Sequence, residues 1–193
     1  MMKFDAVIIG GGLAGMSIAT ALQEDGRRCA LVSEGLSLHD GVSAARFRAA
    51  GGTLLAGDRV TAGTFGNGKL LSVRTEKLGD ATLEAPVFVL ATGKYFSRGI
   101  VADMDSIYEP VFGLDVQFDK DRSAWFSPSF SAPQRFLEFG VLTKDGCALK
   151  DGEKIANLFP AGEVLAGVSC ISEGGTAGIT NSVSLALEAI RKI

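Results

Sequence analysis

Histidine is nearly missing from this sequence of 193 residues, and cysteine occurs only three times. Cys29, Cys147 and Cys170 are odd in number and lack the spacing of metal ligands, so we expect reduced, buried thiols rather than a disulfide framework. The single histidine, His39, lies in a short polar stretch and is expected to be an exposed loop residue. The sequence therefore predicts no metal site, and no residue is assigned as a catalytic acid or base.

Long apolar runs and an excess of basic residues are also missing. Every apolar run is broken by glycine or a charged residue well before the roughly 18 residues that a membrane span requires. The first residues lead directly into a strand pattern, so we expect no signal peptide and a cytoplasmic location. The formal net charge is -3, and lysine and arginine are scattered singly, which disfavours nucleic acid as a partner.

The most informative stretch that is present reads VIIGGGLAG. A β-branched apolar run ends at three glycines and passes directly into an alanine-rich helical pattern, which is typical of a strand, tight turn and helix that bind a dinucleotide pyrophosphate. Gly10 permits the tight bend, Gly12 lets the pyrophosphate approach the backbone, and Gly15 lets the helix pack closely. Leu13 and Ala14 lie in the first helical turn, whose N–H groups face the anion.

The first thirty residues complete a parallel βαβ unit. With 47% hydrophobic residues to fill a core, we predict an α/β, Rossmann-like fold with a central parallel sheet and one domain over residues 1–193. The second strand ends in LVSEG, where dinucleotide folds usually offer a carboxylate to the ribose hydroxyls. Ser33 occupies that position and Glu34 follows it, so either side chain could hold the ribose, with a solvated Glu34 as the alternative.

Short strands follow a brief helix over residues 42–50. Four strand patterns separated by turns predict a small antiparallel β-meander as the crossover, at residues 53–56, 59–64, 70–75 and 81–84. The chain then enters an apolar run that ends at Ala91, Thr92 and Gly93. A second glycine turn at the carboxyl end of a parallel strand lies on the same sheet edge as the first, so these three residues are candidate cofactor contacts.

The last strand pattern ends in LFPAGEV. Gly162 followed by Glu163 puts a carboxylate at the strand end, where it can accept hydrogen bonds from sugar or ribityl hydroxyls. EGGTAG then opens the final helix pattern, which we expect to begin near Gly174. Its N–H groups would face the electron-rich pyrimidine edge of a flavin. The candidates there are Gly174, Gly175, Thr176 and Ala177.

The region between the second and third glycine turns is less regular. EPVFGLDV predicts a strand flanked by loops, residues 122–134 are expected to be irregular, residues 139–143 predict a strand, and residues 144–152 predict a polar loop. Three aromatic residues are candidates to line a pocket, although packing onto the core is the commoner role of such residues: Phe126, Phe130 and Phe136. Three further residues are candidate phosphate or substrate contacts, with a structural role as the alternative: Tyr95, Arg98 and Arg135.

With these elements in view, the sequence resembles the glutathione-reductase-like class of flavoproteins, and more narrowly the B subunit of anaerobic glycerol-3-phosphate dehydrogenase. The segments that carry the resemblance occur in that family's order: FDAVIIGGGLAG, AAGGTLLAGDRV, VFVLATGKYFSRGIVAD, EPVFGLDV, APQRFLEFGV and IANLFPAGEVLAG. They cover nearly the whole chain outside residues 36–47. The family's long middle region is replaced here by about residues 36–45, so the inserted substrate domain is expected to be absent.

The resemblance implies a cofactor and partners. That family oxidises glycerol 3-phosphate to dihydroxyacetone phosphate and passes electrons to a quinone, together with a larger flavin subunit and an iron–sulfur membrane subunit. A place at the inner membrane through those subunits would follow. The flavin contacts carried over are the three glycines of the first turn, Ser33, Val60 as a backbone partner of the adenine, Thr92 with Gly93, and Gly162 with Glu163. The substrate residues do not carry over.

The leading hypothesis is a flavin-dependent oxidoreductase domain in which electrons pass to the flavin N5 atom. FAD is preferred because FMN has no pyrophosphate and would leave the first motif unused. The competing hypotheses are a non-catalytic electron-relay module, an NAD-dependent dehydrogenase, and a subunit whose glycine motifs are empty. The shortened middle favours the relay module for the isolated chain, whereas the glycine turns at 93 and 162 argue against NAD.

Overall fold

The computed structural model of the protein describes residues 1–35, 40–129 and 131–193, apart from the side chain of Asp40. His39 and Phe130 therefore lie outside the described residues. The strands are β1 (Met2–Lys3), β2 (Ala6–Ile9), β3 (Cys29–Ser33), β4 (Thr53–Ala56), β5 (Val60–Gly66), β6 (Lys69–Thr75), β7 (Thr82–Glu84), β8 (Val87–Leu90), β9 (Val101–Ala102), β10 (Ile107–Tyr108), β11 (Val116–Gln117), β12 (Gly140–Val141), β13 (Thr143–Lys144), β14 (Cys147–Lys150), β15 (Glu153–Lys154) and β16 (Leu158–Pro160). The helices are α1 (Leu13–Glu24), α2 (Asp40–Ala49), α3 (Cys170–Glu173) and α4 (Ala177–Ile190), with 3-10 turns at Arg122–Ala124, Arg135–Glu138 and Gly162–Val164.

The centre of the fold is a five-stranded parallel sheet in the order β16-β8-β2-β3-β4. Strands β2, β3 and β8 are buried along their whole length, which is why each reads as a continuous apolar run without alternation. The α/β fold with a central parallel sheet is thus confirmed. Because all five strands run in one direction, their carboxyl ends meet at a single edge.

Each face of this sheet packs against a different layer. Ala6 and Ile8 point to one face, where they join a cluster with side chains of α1, α2 and α4, such as Met16, Phe47 and Ile190. The intervening residues of the same strands point to the other face and join a second cluster with residues of the smaller sheet. Helix α1 packs against both α2 and α4, so it is the middle element of the helical layer.

The smaller sheet has the order β1-β7-β6-β5, with antiparallel pairing from β5 to β7. The predicted crossover meander is therefore present, but its first member was assigned wrongly. Strand β4 pairs in parallel with β3 and forms the edge of the central sheet. The alternation of β4 is weak, with Leu54 and Leu55 both half-buried, so the sequence pattern alone could not distinguish the two sheets.

Two further predictions for the irregular region are corrected. Residues 147–150, expected in a polar loop, form β14, the central strand of a three-stranded antiparallel sheet. Asp145 and Gly146, just before it, have positive φ values and form the expected turn. EPVFGLDV is mainly a turn, and only its last residue, Val116, belongs to a strand. Glu109 holds this turn, because its buried carboxylate accepts hydrogen bonds from the N–H groups of Val111 (2.9 Å) and Phe112 (2.8 Å).

The three cysteines are free thiols; Cys29 and Cys147 are buried as expected, whereas Cys170 is only half-buried. Burial raises the pKa of Cys29 to about 12, so this thiol stays protonated and behaves as a small apolar side chain.

Among the described residues, no helix is both long and apolar enough to cross a membrane, and no group of three or more His, Cys, Asp or Glu side chains could hold a metal ion.

A buried amide joins the two main sheets. Asn157, which precedes β16, accepts a hydrogen bond from the Leu70 N–H (2.8 Å) and donates to the Leu70 carbonyl (2.8 Å) and the Pro86 carbonyl (3.1 Å). The side chain therefore pairs with both backbone groups of Leu70 in β6. Buried backbone groups need such partners, since each one left unpaired costs about 1–3 kcal/mol.

We expect Asn157→Ala to lower the free energy of unfolding by about 2–4 kcal/mol, because it leaves both backbone groups of Leu70 buried and unpaired. Urea denaturation followed by circular dichroism measures the change. Asn181→Ala, at an exposed position on α4, is the matched control and should change stability by less than about 0.5 kcal/mol. Equal stability of the two variants would contradict the role of Asn157 as a link between sheets.

Candidate cofactor-binding site

The predicted glycine turns meet at the carboxyl edge of the central sheet. Gly10 follows β2, and its N–H donates to the Val32 carbonyl of the neighbouring strand (2.9 Å). The Ala91 N–H, just beyond β8, donates to the Ile9 carbonyl (2.7 Å), and the Ala161 N–H, just beyond β16, donates to the Leu90 carbonyl (2.9 Å). The structure thus brings the first, second and third glycine turns together on three adjacent strands.

The first turn is crowded on the sheet side and open on the other. A Cβ atom at Gly10 would collide with the Ala91 carbonyl, and one at Gly15 would collide with the Gly10 carbonyl. A Cβ atom at Gly12 would meet no atom within 4 Å, so the backbone there borders open space. Gly12 is the N-cap of α1 and supplies no side-chain cap.

The start of α1 has the features of an anion site. The first intrahelical hydrogen bond runs from the Met16 N–H to the Gly12 carbonyl (2.9 Å), so the N–H groups of Leu13, Ala14 and Gly15 precede the hydrogen-bonded ladder. No acidic residue lies in the first turn. Unpaired N–H groups and the positive end of the helix dipole favour a negative charge at this point.

The two ribose candidates occupy different environments. Ser33 is buried, and its Oγ lies beneath Gly11 and donates to the Gly35 carbonyl. Glu34 is exposed and lies 3.9 Å from Arg59, which also pairs with Glu76 at 3.1 Å.

Val60, the candidate adenine partner, begins β5 close to this edge. Two residues earlier, the Asp58 N–H donates to the Ser33 carbonyl (3.1 Å). The Val60 side chain is buried in the core, so only its backbone could contact a ligand.

The second turn contains a polar atom that lacks a partner. The Oγ1 atom of Thr92 is buried and makes no hydrogen bond with any described residue. Gly93 has φ 73°, a left-handed conformation that favours glycine, and the carbonyls of Thr92 and Gly93 approach Gly99 so closely that a Cβ there would collide with them. Ala91 completes the turn beside Gly10. An unpaired buried hydroxyl is unusual in native proteins, and a bound ligand or an ordered water molecule would satisfy it.

The third turn is hydrogen-bonded to a side chain of α4. Gly162 has φ 78°, and its N–H donates to the buried Ser182 Oγ (2.8 Å). The Glu163 carboxylate accepts a hydrogen bond from the Cys170 N–H through one oxygen (2.9 Å). A carboxylate can accept up to about four hydrogen bonds, so this contact leaves Glu163 able to accept from a hydroxyl group.

The final helix begins later than predicted. Gly174, expected near the helix start, instead ends the short helix α3 in the left-handed conformation (φ 65°), and α4 begins at Ala177. Gly175 and Thr176 form the link, with Thr176 as the N-cap of α4. The Glu173 carboxylate accepts a hydrogen bond from the Gly178 N–H (2.6 Å), so one of the first N–H groups of α4 already has a partner.

Lys94 is the residue near this edge that sequence reasoning missed. It follows Gly93 directly, is buried, and donates from Nζ to the carbonyls of Leu137 (2.5 Å) and Val168 (2.8 Å). Burial lowers the pKa of Lys94 to about 8, while the negative charges of Glu163 and Glu138 oppose that shift. The only sequence signal was its position after the second glycine turn, since lysine is rarely buried.

The structure brings most of the candidate substrate contacts together at one cavity, but not Arg135. Tyr95, Arg98, Phe126 and Phe136 line a common cavity next to the second turn, whereas Arg135 pairs with Asp119 at 3.1 Å. The Tyr95 hydroxyl donates to the Phe136 carbonyl (2.8 Å), and burial raises the Tyr95 pKa to about 12, so this hydroxyl stays protonated. Whether any of these residues binds substrate stays a prediction.

Comparison with known families identifies the fold. The family model described as "FAD binding domain" matches residues 5–39 and 35–179, which is most of the chain. This chain belongs to the FAD-binding domain family.

Curated relatives of this FAD-binding domain include proteins named as the B subunit of anaerobic glycerol-3-phosphate dehydrogenase. The relative from Glaesserella parasuis serovar 5 is 38% identical over 148 residues, which is 74% of this chain and 35% of the relative. The relative from Vibrio cholerae serotype O1 is 37% identical over 146 residues, 74% of this chain and 33% of the relative. The predicted resemblance is confirmed, and the chain spans about a third of the length of these relatives.

Solved structures agree on the fold alone. A geranylgeranyl bacteriochlorophyll reductase-like protein from Thermoplasma acidophilum matches with a TM-score of 0.60 at 11% identity, over 99% of this chain and 78% of that one. The myxobacterial FAD-dependent halogenase CndH matches with a TM-score of 0.58 at 11% identity, over 96% of this chain and 73% of that one. The family model and the curated relatives, rather than these structures, confirm FAD as the cofactor and membership of an FAD-dependent oxidoreductase family.

The residues of the sheet edge are compatible with FAD. The open side of Gly12 and the uncapped start of α1 suit a pyrophosphate, and the orphaned Thr92 hydroxyl can supply a hydrogen bond to a polar group. These observations come from the protein alone. The contact of each named residue with FAD stays a prediction.

Lys94→Met tests the buried ammonium through the pH dependence of stability. The Lys94 pKa is about 8 in the folded protein and 10.5 as its ordinary value. Between those pH values the unfolded chain holds a proton that the folded chain has released, so the unfolding free energy of the wild type relative to Lys94→Met should rise with pH. Below about pH 8 both states are charged, and the difference should be flat.

Urea denaturation of the wild type and Lys94→Met, from about pH 7 to about pH 10.5, measures this difference. Subtracting the variant removes the titration of Cys29 and Tyr95, which both proteins share. Lys144→Met, at an exposed position, is the matched control and should show no rise. A difference between the wild type and Lys94→Met that does not change with pH would show that Lys94 titrates normally.

Proposed function

We propose that this chain is the FAD-binding part of a flavin-dependent dehydrogenase that oxidises glycerol 3-phosphate to dihydroxyacetone phosphate and passes the electrons toward a quinone. The curated relatives at 37–39% identity support this substrate. The observation that carries the flavin part is the convergence of three glycine turns on one sheet edge, with the orphaned Thr92 hydroxyl among them. An extended dinucleotide needs several such backbone contacts, whereas a single turn suffices for a pyrophosphate.

Within this proposal, the start of α1 binds the pyrophosphate through the N–H groups of Leu13, Ala14 and Gly15. Glu34 rather than Ser33 binds the ribose, because Glu34 is exposed and Ser33 is buried beneath Gly11. The neighbouring Arg59 orients the Glu34 carboxylate.

The remaining contacts follow the sheet edge. The backbone of Val60 meets the adenine, Thr92 and Gly93 contact the middle of the cofactor, and Glu163 accepts hydrogen bonds from the ribityl hydroxyls. The segment from Gly174 to Ala177 faces the pyrimidine edge. FAD supplies the two-electron acceptor when bound, and the protein orients it and favours its negative charge on reduction.

A second candidate function is an electron relay without catalysis by this chain. One feature favours it: the resemblance implies that about residues 36–45 replace the long middle region of the family. A larger flavin subunit and an iron–sulfur membrane subunit would then be the electron donor and acceptor. Assembly with these subunits, and a peripheral place at the membrane, belong to the proposal.

Gly12→Val tests the pyrophosphate site. A valine side chain would fill the open space beside Gly12, whose φ of -75° any residue can adopt, so the fold should be kept while FAD affinity falls by at least about a hundredfold. Titration of the FAD-free protein with FAD, followed by flavin fluorescence, measures the affinity.

Gly41→Val is the matched control, because Gly41 also faces open space but lies on α2 outside the turn. It should bind FAD as the wild type does. Unchanged FAD affinity in Gly12→Val would show that the first turn is structural only.

Reduction of the FAD-loaded protein separates the two candidate functions. If this chain catalyses, glycerol 3-phosphate under anaerobic conditions should bleach the flavin absorption band near about 450 nm, whereas glycerol should not. If the chain is a relay, dithionite but not glycerol 3-phosphate should bleach the band. Loss of the band with glycerol as well would contradict the proposed substrate.

A further inference from the structure

A cavity of about 950 Å³ opens beside the second glycine turn. Tyr95, Ile100, Ile107, Trp125 and Phe136 form its walls. None of these residues belongs to the set proposed to contact FAD. Small-molecule sites are concave, mostly apolar and about 300–1,000 Å³ in volume, so this cavity has the size and the lining of a ligand site.

The walls are fixed by packing and hydrogen bonds. The Trp125 ring meets the Phe139 ring edge-on at a centroid distance of 6.0 Å, and its Nε1 donates to the Asp119 carbonyl (2.6 Å). Two of the wall residues, Ile100 and Ile107, are almost fully buried. A cavity whose walls are already held in place needs little ordering when a ligand binds, which favours affinity.

The charged side chains that line the cavity are both positive. They belong to Arg98 and Arg122, and none of the described lining residues is acidic. Arg122 braces the wall, since its guanidinium lies 5.2 Å from the centre of the Trp125 ring and donates to the carbonyls of Asp103 (3.0 Å) and Met104 (2.6 Å).

Arg98 is the cation available to a ligand. It is exposed, and its guanidinium has no acceptor among the described residues. Its backbone has φ 60°, a left-handed conformation that is uncommon for a residue other than glycine and that tends to persist at functional positions.

We propose that this cavity binds a small amphipathic anion, with an alkyl or flat aromatic body against the apolar walls and one carboxylate, sulfonate or phosphate group held by Arg98. The arginines exclude a cationic head group. A ligand covered in hydroxyl groups would leave them without partners against these walls, so a sugar phosphate does not fit. The proposal is independent of the flavin reaction and of its substrate.

The first test is isothermal titration calorimetry on the FAD-loaded protein with three probes of equal chain length: decanoate and decyltrimethylammonium below their micelle concentrations, and 1-decanol below its solubility limit. We expect decanoate to bind at least about tenfold more tightly than the other two, because only its carboxylate forms an ion pair with the Arg98 guanidinium. Similar affinities for all three probes, or loss of decanoate binding when FAD is bound, would overturn the proposal. The latter would place the cavity within the flavin site.

Arg98→Gln isolates the head-group contact. It should weaken decanoate binding by about tenfold, because the ion pair is lost, and change 1-decanol binding much less, because decanol carries no charge. Arg48→Gln, at an exposed arginine on α2, is the matched control and should bind decanoate as the wild type does. Equal decanoate affinities of Arg98→Gln and the wild type would overturn the assignment of Arg98.

A second variant and a second measurement keep the proposal testable even if the protein does not bind FAD or Arg98→Gln does not fold. Trp125 is the only tryptophan, so its emission in the FAD-free protein reports directly on the cavity. We expect decanoate to shift this emission in the wild type but not in Ala102→Phe, where a ring at an exposed lining position fills the cavity. Wild-type emission that decanoate leaves unchanged, or an equal shift in Ala102→Phe, would contradict the proposal whether or not FAD binds.

Discussion

The close approach of backbone to backbone at the carboxyl edge of the central sheet is the constraint on which the cofactor site depends. The carbonyl of Gly10 lies against Gly15, and the carbonyl of Ala91 lies against Gly10, with no room for a Cβ atom between them. Side chains are thereby excluded from the sheet side of the first turn. The N–H groups at the start of α1 are left as the polar surface that a ligand meets.

Local sequence patterns were sufficient to predict the buried strands of the central sheet and the first helix. The buried strands β2, β3 and β8 read as continuous apolar runs, and α1 reads as a helical stripe that ends before Gly26, which has φ 84°. Strand β4 was placed in the wrong sheet because its partner is chosen by contacts distant in sequence. The start of α4 was predicted too early. Two glycines before a helix pattern can also end a preceding short helix, and Gly174 ends α3 in this way.

Buried charges explain much of what the sequence could not reveal. The region between the second and third glycine turns has only short strands, so few of its polar backbone groups are paired in sheets. Lys94 donates to two carbonyls there, and the Glu109 carboxylate accepts from two N–H groups. Burial raises the pKa of Glu109 in spite of those bonds. Each buried charge takes the place of a strand partner, an arrangement that propensity and periodicity do not indicate.

Two consecutive side chains connect the cofactor edge with the aromatic cavity. Lys94 donates to the carbonyl of Leu137 and Tyr95 donates to that of Phe136, so adjacent residues after the Gly93 turn are tied to adjacent residues of one 3-10 turn. A molecule that displaces Phe136 would pull on the Gly93 turn as well. Because thermodynamic linkage is reciprocal, any change that cavity occupancy makes to flavin affinity must be matched by an equal effect of flavin on cavity occupancy.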